Sequence, residues 1–150
     1  MAKREPGEVL DGLSALLRCL RSVAAETYAT FEVGSTQAKL LRHIGRQSRI
    51  SQADLARATG TDPALTGRVL ETLIDRGWVR RTRSEEDRRE YVVELAASGQ
   101  RARKKVEGAR ERISERIGGA LDERDLEDFD RIKEKILAAL GGTGEPGAKR

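Results

Sequence analysis

Cysteine is nearly absent from this sequence. Cys19 is the single copy in 150 residues, so neither an internal disulfide nor a four-cysteine zinc site can form, in keeping with a reducing, cytoplasmic setting. Histidine is as scarce, with His43 alone. There is also no glycine-rich phosphate loop, no metal-spaced ligand set and no serine or cysteine beside a base. Enzymatic turnover, a bound metal and a cofactor are therefore not expected. Aromatic side chains amount to one tryptophan, two tyrosines and two phenylalanines, which points to an aliphatic core beneath helical surfaces. No apolar run approaches the roughly 18 residues needed to span a bilayer, and Lys3 and Arg4 precede an acidic, glycine-containing stretch instead of the apolar core of a signal peptide. Neither membrane insertion nor secretion is indicated.

What is abundant is charge. Charged residues make up 36% of the chain against 37% hydrophobic, and at this length that balance suits one compact helical unit better than two independent cores. The net charge is +4 and most of the cations are arginine, the side chain that forks onto phosphates and guanine edges. Such a surface suits a polyanionic partner, but it also suits an Arg- and Ala-rich composition with no partner at all. The positions of the arginines must decide.

Apolar residues recur at three- and four-residue steps from Val9 through Leu13, Leu17, Leu20 and Ala24 to Phe31, which predicts a long amphipathic helix over 7–33 that needs a partner for its stripe. After Gly34, Ser35 is read as the cap of a second helix with Ala38, Leu41 and Ile44 inward. Ser51 to Asp54 resembles a capping box and opens a short helix over 51–59, which Gly60 ends. Asp62 and Pro63 cap and start another helix over 62–76, with Leu65, Val69, Leu70, Leu73 and Ile74 inward and Thr66 and Arg68 outward. Trp78–Thr82 and Tyr91–Leu95 alternate as paired strands, and the charged segment 83–90, too polar to bury, forms a hairpin loop between them. Two amphipathic helices fill 98–140, the last striped by Leu126, Phe129, Ile132 and Ile136, before a glycine-rich tail over 141–150 that is expected to be disordered.

Two short helices joined by a glycine-containing turn form the unit whose second helix enters the major groove of duplex DNA. Thr61, Pro63, Ala64, Thr66, Gly67 and Arg68 mark the entering end, where small residues permit close approach and free amides favour phosphate. Arg68 is the residue best suited to a guanine or a phosphate, and Thr66 to a base edge or a thymine methyl. Ser51 and Gln52 would anchor phosphates at the start of the crossing helix. On the hairpin loop, Arg83, Arg88 and Arg89 surround acidic neighbours, so bulk attraction cannot explain them. Asp87 would orient an arginine, and Arg88 or Arg89 would enter the minor groove.

The run from Ser51 through Glu94 resembles the MarR family of multiple-antibiotic-resistance regulators. The resemblance is carried by Leu73-Ile74-Asp75-Arg76-Gly77-Trp78-Val79-Arg80-Arg81 and by Ser84-Glu85-Glu86-Asp87-Arg88-Arg89, with its aspartate-any-arginine pattern on Asp87 and Arg89. It implies a mainly α fold with a small β-hairpin wing, a winged helix-turn-helix over 35–97 flanked by dimerisation helices at 7–33 and 98–140. It also implies a homodimeric transcription regulator, commonly a repressor, reading a pseudo-palindromic operator in double-stranded DNA. Leu65, Thr66 and Gly67 depart from the commoner pattern of the entering helix, so no operator sequence carries over.

Family members often release DNA when a small, frequently aromatic ligand binds between the dimerisation and DNA-binding parts. Tyr28, Phe31 and His43 are the candidates to line such a site, although Tyr28 and Phe31 lie on the apolar stripe, where core packing is the stronger explanation, and His43 reads more simply as an ordinary helix residue. Some relatives sense hydroperoxides through a first-helix cysteine; Cys19 lies in that helix, but its surroundings do not match the motif. A protein-protein adaptor built on the same winged helix is the rival reading, and it differs by lacking salt-sensitive affinity for duplex DNA.

Overall fold

The computed structural model describes residues 5–142. Most of the tail, 143–150, and the Lys3-Arg4 pair lie outside the described residues. The elements in chain order are α1 (Pro6–Ala29), α2 (Ser35–Gln47), β1 (Ile50–Ser51), α3 (Gln52–Thr59), α4 (Pro63–Asp75), β2 (Val79–Arg83), β3 (Tyr91–Leu95), α5 (Ala97–Gly119) and α6 (Glu123–Ala139). The strands form one antiparallel sheet in the order β1-β3-β2, with Val79 opposite Leu95 and Arg83 opposite Tyr91. The fold is mainly α with a small β-hairpin, as the sequence implies.

The core lies where α2, α4, β3 and the first half of α5 meet. Leu40, Leu41, Ile44, Leu55, Leu70, Leu73, Val93 and Val106 are fully buried there, so aliphatic burial supplies the main stabilising term. Only the end of α1 reaches this core, through Tyr28, with Val33 just beyond it. Leu10, Leu13, Leu16, Leu17 and Leu20 are exposed, as are Leu126, Phe129 and Ile132 of α6.

One set of contacts ties α1 to the end of α4. Glu32 takes a left-handed conformation at φ 60°, which presents its carbonyl to Arg76 Nη1 at 2.5 Å. The same nitrogen donates to Gln37 Oε1 at 3.2 Å, and the guanidinium lies 3.5 Å from the centre of the Trp78 ring. A Cβ on Gly99 would collide with the Trp78 carbonyl oxygen, so only glycine lets α5 dock this closely against the start of β2.

Several local expectations need correction. α2 is capped by Gly34, whose N–H donates to Gln37 Oε1, and Ser35 is its first helical residue. Ile50 and Ser51 add a third strand, too short to show periodicity. Arg83 belongs to β2 and not to the loop. α4 is rotated from the reading above. Leu65 is exposed and Thr66 is fully buried, because the threonine hydroxyl donates to the Asp62 carbonyl at 2.9 Å and so enters the core already satisfied.

Candidate nucleic-acid interface

The helix-turn-helix is built by its caps. Ser51 Oγ accepts from the Asp54 N–H at 3.0 Å and starts α3. Gly60, at φ 61°, ends it in the left-handed conformation that glycine adopts without steric cost. Asp62 Oδ1 then accepts from the N–H groups of Ala64 and Leu65, at 2.9 and 3.1 Å, and starts α4. These caps alter the chemistry expected of both helix ends. The Ala64 and Leu65 amides, read above as free for phosphate, are bonded to a carboxylate that also offsets the positive end of the helix dipole.

Thr61 and Thr66 both face inward, so neither presents a side chain to a groove. Thr61 accepts from the Thr59 hydroxyl at 3.0 Å and serves the turn itself. Pro63, Ala64, Leu65 and Arg68 form the exposed edge of α4, and Arg68 makes no ion pair among the described residues. Gly67 faces Gln52, whose amide nitrogen would lie 3.5 Å from a Cβ placed there. The Oε1 atom of Gln52 is covered and has no hydrogen-bond partner.

The hairpin loop is ordered by one serine. Ser84, expected on an exposed loop, is buried; its Oγ accepts from the Glu86 and Asp87 amides at 3.2 and 3.3 Å, and its own N–H donates to the Glu90 carbonyl at 2.9 Å. The tip so formed carries Asp87 and Arg89. Asp87 Oδ1 accepts from the Arg89 backbone N–H at 3.0 Å and from Nε at 3.2 Å. These bonds, the backbone one foremost, hold the Asp87 carboxyl below its ordinary pKa. Arg89 Nη2 also donates to Asp87 Oδ2 at 3.5 Å, so Arg89 is held by its neighbour at backbone and guanidinium while its side chain stays 92% exposed, a disposition suited to a groove-seeking arginine. Arg83 instead donates to the Arg88 carbonyl at 2.9 Å and lies over the Tyr91 ring at 4.1 Å. It supports the hairpin.

Helix-turn-helix and hairpin converge on a cleft of about 240 Å³, lined by Gln52, Ala53 and Ala56 of α3, Pro63 of α4 and Arg89 to Tyr91 of the hairpin. The structure thus brings Gln52, Pro63 and Arg89 together and places Arg68 on the outer face of α4. Tyr91 was not singled out from the sequence. Its signal was there: Arg81 and Arg83 share one strand face, and Tyr91 pairs with Arg83 in register and lies beneath both guanidiniums.

The remaining candidates are scattered. Phe31 lines a second cleft of about 230 Å³ with Val33, Trp78, Ser98, Ala102 and the cations Arg101 and Lys105. Tyr28 is buried, edge-on to Phe31 at 6.1 Å between ring centres, and neither it nor His43 lines that cleft. His43 sits half-buried on α2, where burial foremost, then Arg46 and Arg42, push its pKa below the usual histidine value. Cys19 is exposed. Among the described residues no cluster of three His, Cys, Asp or Glu side chains is placed to hold a metal ion, and no helix is long and apolar enough to cross a membrane.

Comparison with known proteins gives this geometry its context. The model of the MarR family matches residues 34–91. A mutant MarR from E. coli in complex with operator DNA has a similar fold, with a TM-score of 0.74 at 18% identity over 89% of this chain and 99% of that one. A MarR transcriptional regulator from Methanosarcina mazei Go1 is similar at a TM-score of 0.78 and 24% identity, over 90% of this chain and 98% of that one. The HTH-type transcriptional regulator BilQ of Clostridium symbiosum is 24% identical over 94 residues, which span 63% of this chain and 65% of that relative, just under two thirds of its length. The chain thus has the fold of solved MarR structures, and the MarR family model matches the part of it from residue 34 to residue 91.

Proposed function

We propose that this chain is a cytoplasmic, homodimeric transcription regulator, a repressor, that binds a pseudo-palindromic operator in double-stranded DNA. The observation that carries the reading is the pairing of Arg89 with Asp87 at the hairpin tip, beside the α3–α4 turn and with Arg68 exposed on the neighbouring helix. In this arrangement α4 enters the major groove, led by Pro63, Ala64 and Arg68. Ser51 and Gln52 stand at the backbone, and Arg89 reaches the minor groove. The operator complex of the E. coli relative favours the same use of the fold.

The dimer is supported by the exposed apolar stripes. Leu10, Leu16 and Phe129 are more than half exposed, and a chain that leaves leucines and a phenylalanine in rows on two helices gains by covering them against a copy of itself. Domain roles follow: α1, α5 and α6 dimerise, and α2 to β3 reads DNA. Release by a small aromatic ligand is assigned to the cleft beside Phe31. There the Trp78 ring meets Arg76 at the end of α4, so an occupant would press on the reading helix.

The test is retention of fragments of the chain's own upstream DNA against random duplex at two salt concentrations. Selective retention that survives the higher salt supports the regulator. Equal or absent retention supports the adaptor reading, in which the winged helix contacts only protein.

A further inference from the structure

The outward edge of α4 is apolar where a reading helix would meet base edges. Its polar groups are turned to the helix itself. The Asp62 carboxylate accepts from the Ala64 and Leu65 amides, and the N–H and hydroxyl of Thr66 both donate to the Asp62 carbonyl, at 2.8 and 2.9 Å. Thr61 and Thr66 are buried, and position 67 is a glycine that adds no side chain. What faces outward is Pro63, Ala64 and Leu65, with Arg68 one turn on from Leu65. Leu65 stands apart from the other exposed apolar residues. Among the described residues no other leucine, isoleucine, valine or phenylalanine between Leu20 and Ile117 is exposed, so this side chain belongs to neither of the apolar stripes on α1 and α6.

The major groove offers such an edge one apolar group, the C5 methyl of thymine. A leucine pressed against guanine O6 and N7, or against the cytosine amino group, strips water from them and returns no hydrogen bond, which costs affinity. Against a thymine methyl it covers carbon with carbon, which adds affinity. We propose that Leu65 is a specificity-determining residue that covers a thymine methyl in each half-site, an inference that rests on the DNA-binding reading above. Arg68, on the same edge one turn further along, is left to a guanine or a phosphate. Discrimination at the start of α4 thus comes from apolar contact and desolvation, and the buried threonines take no part in it.

The methyl can be removed while every hydrogen-bonding atom of the base stays in place, by replacing thymine with deoxyuridine. The duplex that the full wild-type chain enriches from a random pool is made with this replacement at one symmetric pair of positions at a time, and Kd is measured by fluorescence anisotropy for wild type and Leu65→Ala. At one pair of positions wild type should bind about four-fold more weakly for each half-site changed, the worth of one buried methyl group. Leu65→Ala should bind the two forms alike at that pair, with its unfolding midpoint unmoved because the position is exposed. A wild-type chain indifferent to deoxyuridine at every position, or a variant as sensitive to it as wild type, overturns the inference while the regulator reading stands. A pool from which no duplex is enriched fails that reading, and the inference falls with it.

Discussion

Asp87 grips Arg89 at three points, through the backbone N–H, through Nε and, at 3.5 Å, through Nη2, while the arginine side chain remains 92% exposed. A surface pair of this kind contributes little to folding. Its consequence is positional, since an arginine already held by its neighbour loses less freedom when it enters a groove.

Arg89→Ala should therefore weaken operator binding by about 1–3 kcal/mol if the contact is to a base, and otherwise reduce the salt slope by about one. Asp87→Asn should weaken binding in the same direction but less, with no change in the unfolding midpoint. Fluorescence anisotropy on the two single variants and the double variant gives the coupling between them. Additive losses would mean that Asp87 does not orient Arg89.

Thr66 gives the opposite expectation. Its hydroxyl is spent on the Asp62 carbonyl inside the protein, so Thr66→Val should cost about 1 kcal/mol of stability and leave the ranking of DNA sequences unchanged. Urea unfolding beside a binding panel checks both halves. A changed sequence preference would return Thr66 to the groove.

Gly99→Ala forces a methyl group into the Trp78 carbonyl and should destabilise the fold by about 1–3 kcal/mol, the usual cost of overpacking. Because Trp78 also carries Arg76 on its ring, DNA affinity should fall further than the loss of folded protein explains. Unchanged unfolding would show that α5 can stand off from β2 at no cost.

The folded pKa of His43 lies below the ordinary 6.5, so as pH falls the unfolded chain takes up this proton first. The stability contributed by neutral His43 is complete above 6.5 and is lost as pH drops from there through the folded pKa. His43→Asn should remove that part of the slope in a series of urea titrations. A slope identical in the variant would place its origin elsewhere.

Leu17→Glu or Phe129→Asp puts a charge into the proposed dimer seam and should shift sedimentation from dimer to monomer, with operator affinity falling in parallel. A wild-type chain that sediments as a monomer at micromolar concentration would remove the dimer from the account.

Much of this was legible in the sequence for physical reasons. Tyr91–Leu95 alternates because one face of β3 packs on the core, and Asp62-Pro63 announces a helix start because a carboxylate and a fixed φ are what that end requires. Other features were hidden in chemistry that periodicity does not record. Positions 65, 69 and 73 make as good a stripe as 66, 70 and 73, and only the bond from Thr66 to Asp62 selects the second. Ser84 reads as a polar loop residue until two amides are seen to converge on its oxygen. At the site, the charge pattern of the loop leaves Arg88 and Arg89 as alternatives for the minor groove, and the geometry distinguishes them: the Arg88 carbonyl is held by Arg83, and the Arg89 side chain by Asp87.

Whether this protein selects a DNA sequence is decided by repeated selection from a pool of random duplexes. A regulator of the proposed kind should enrich a pseudo-palindrome with half-site centres about 10 base pairs apart, an enrichment lost with Arg68→Ala and Arg89→Ala together. A pool that stays random after repeated rounds, while the protein remains folded, would contradict that proposal.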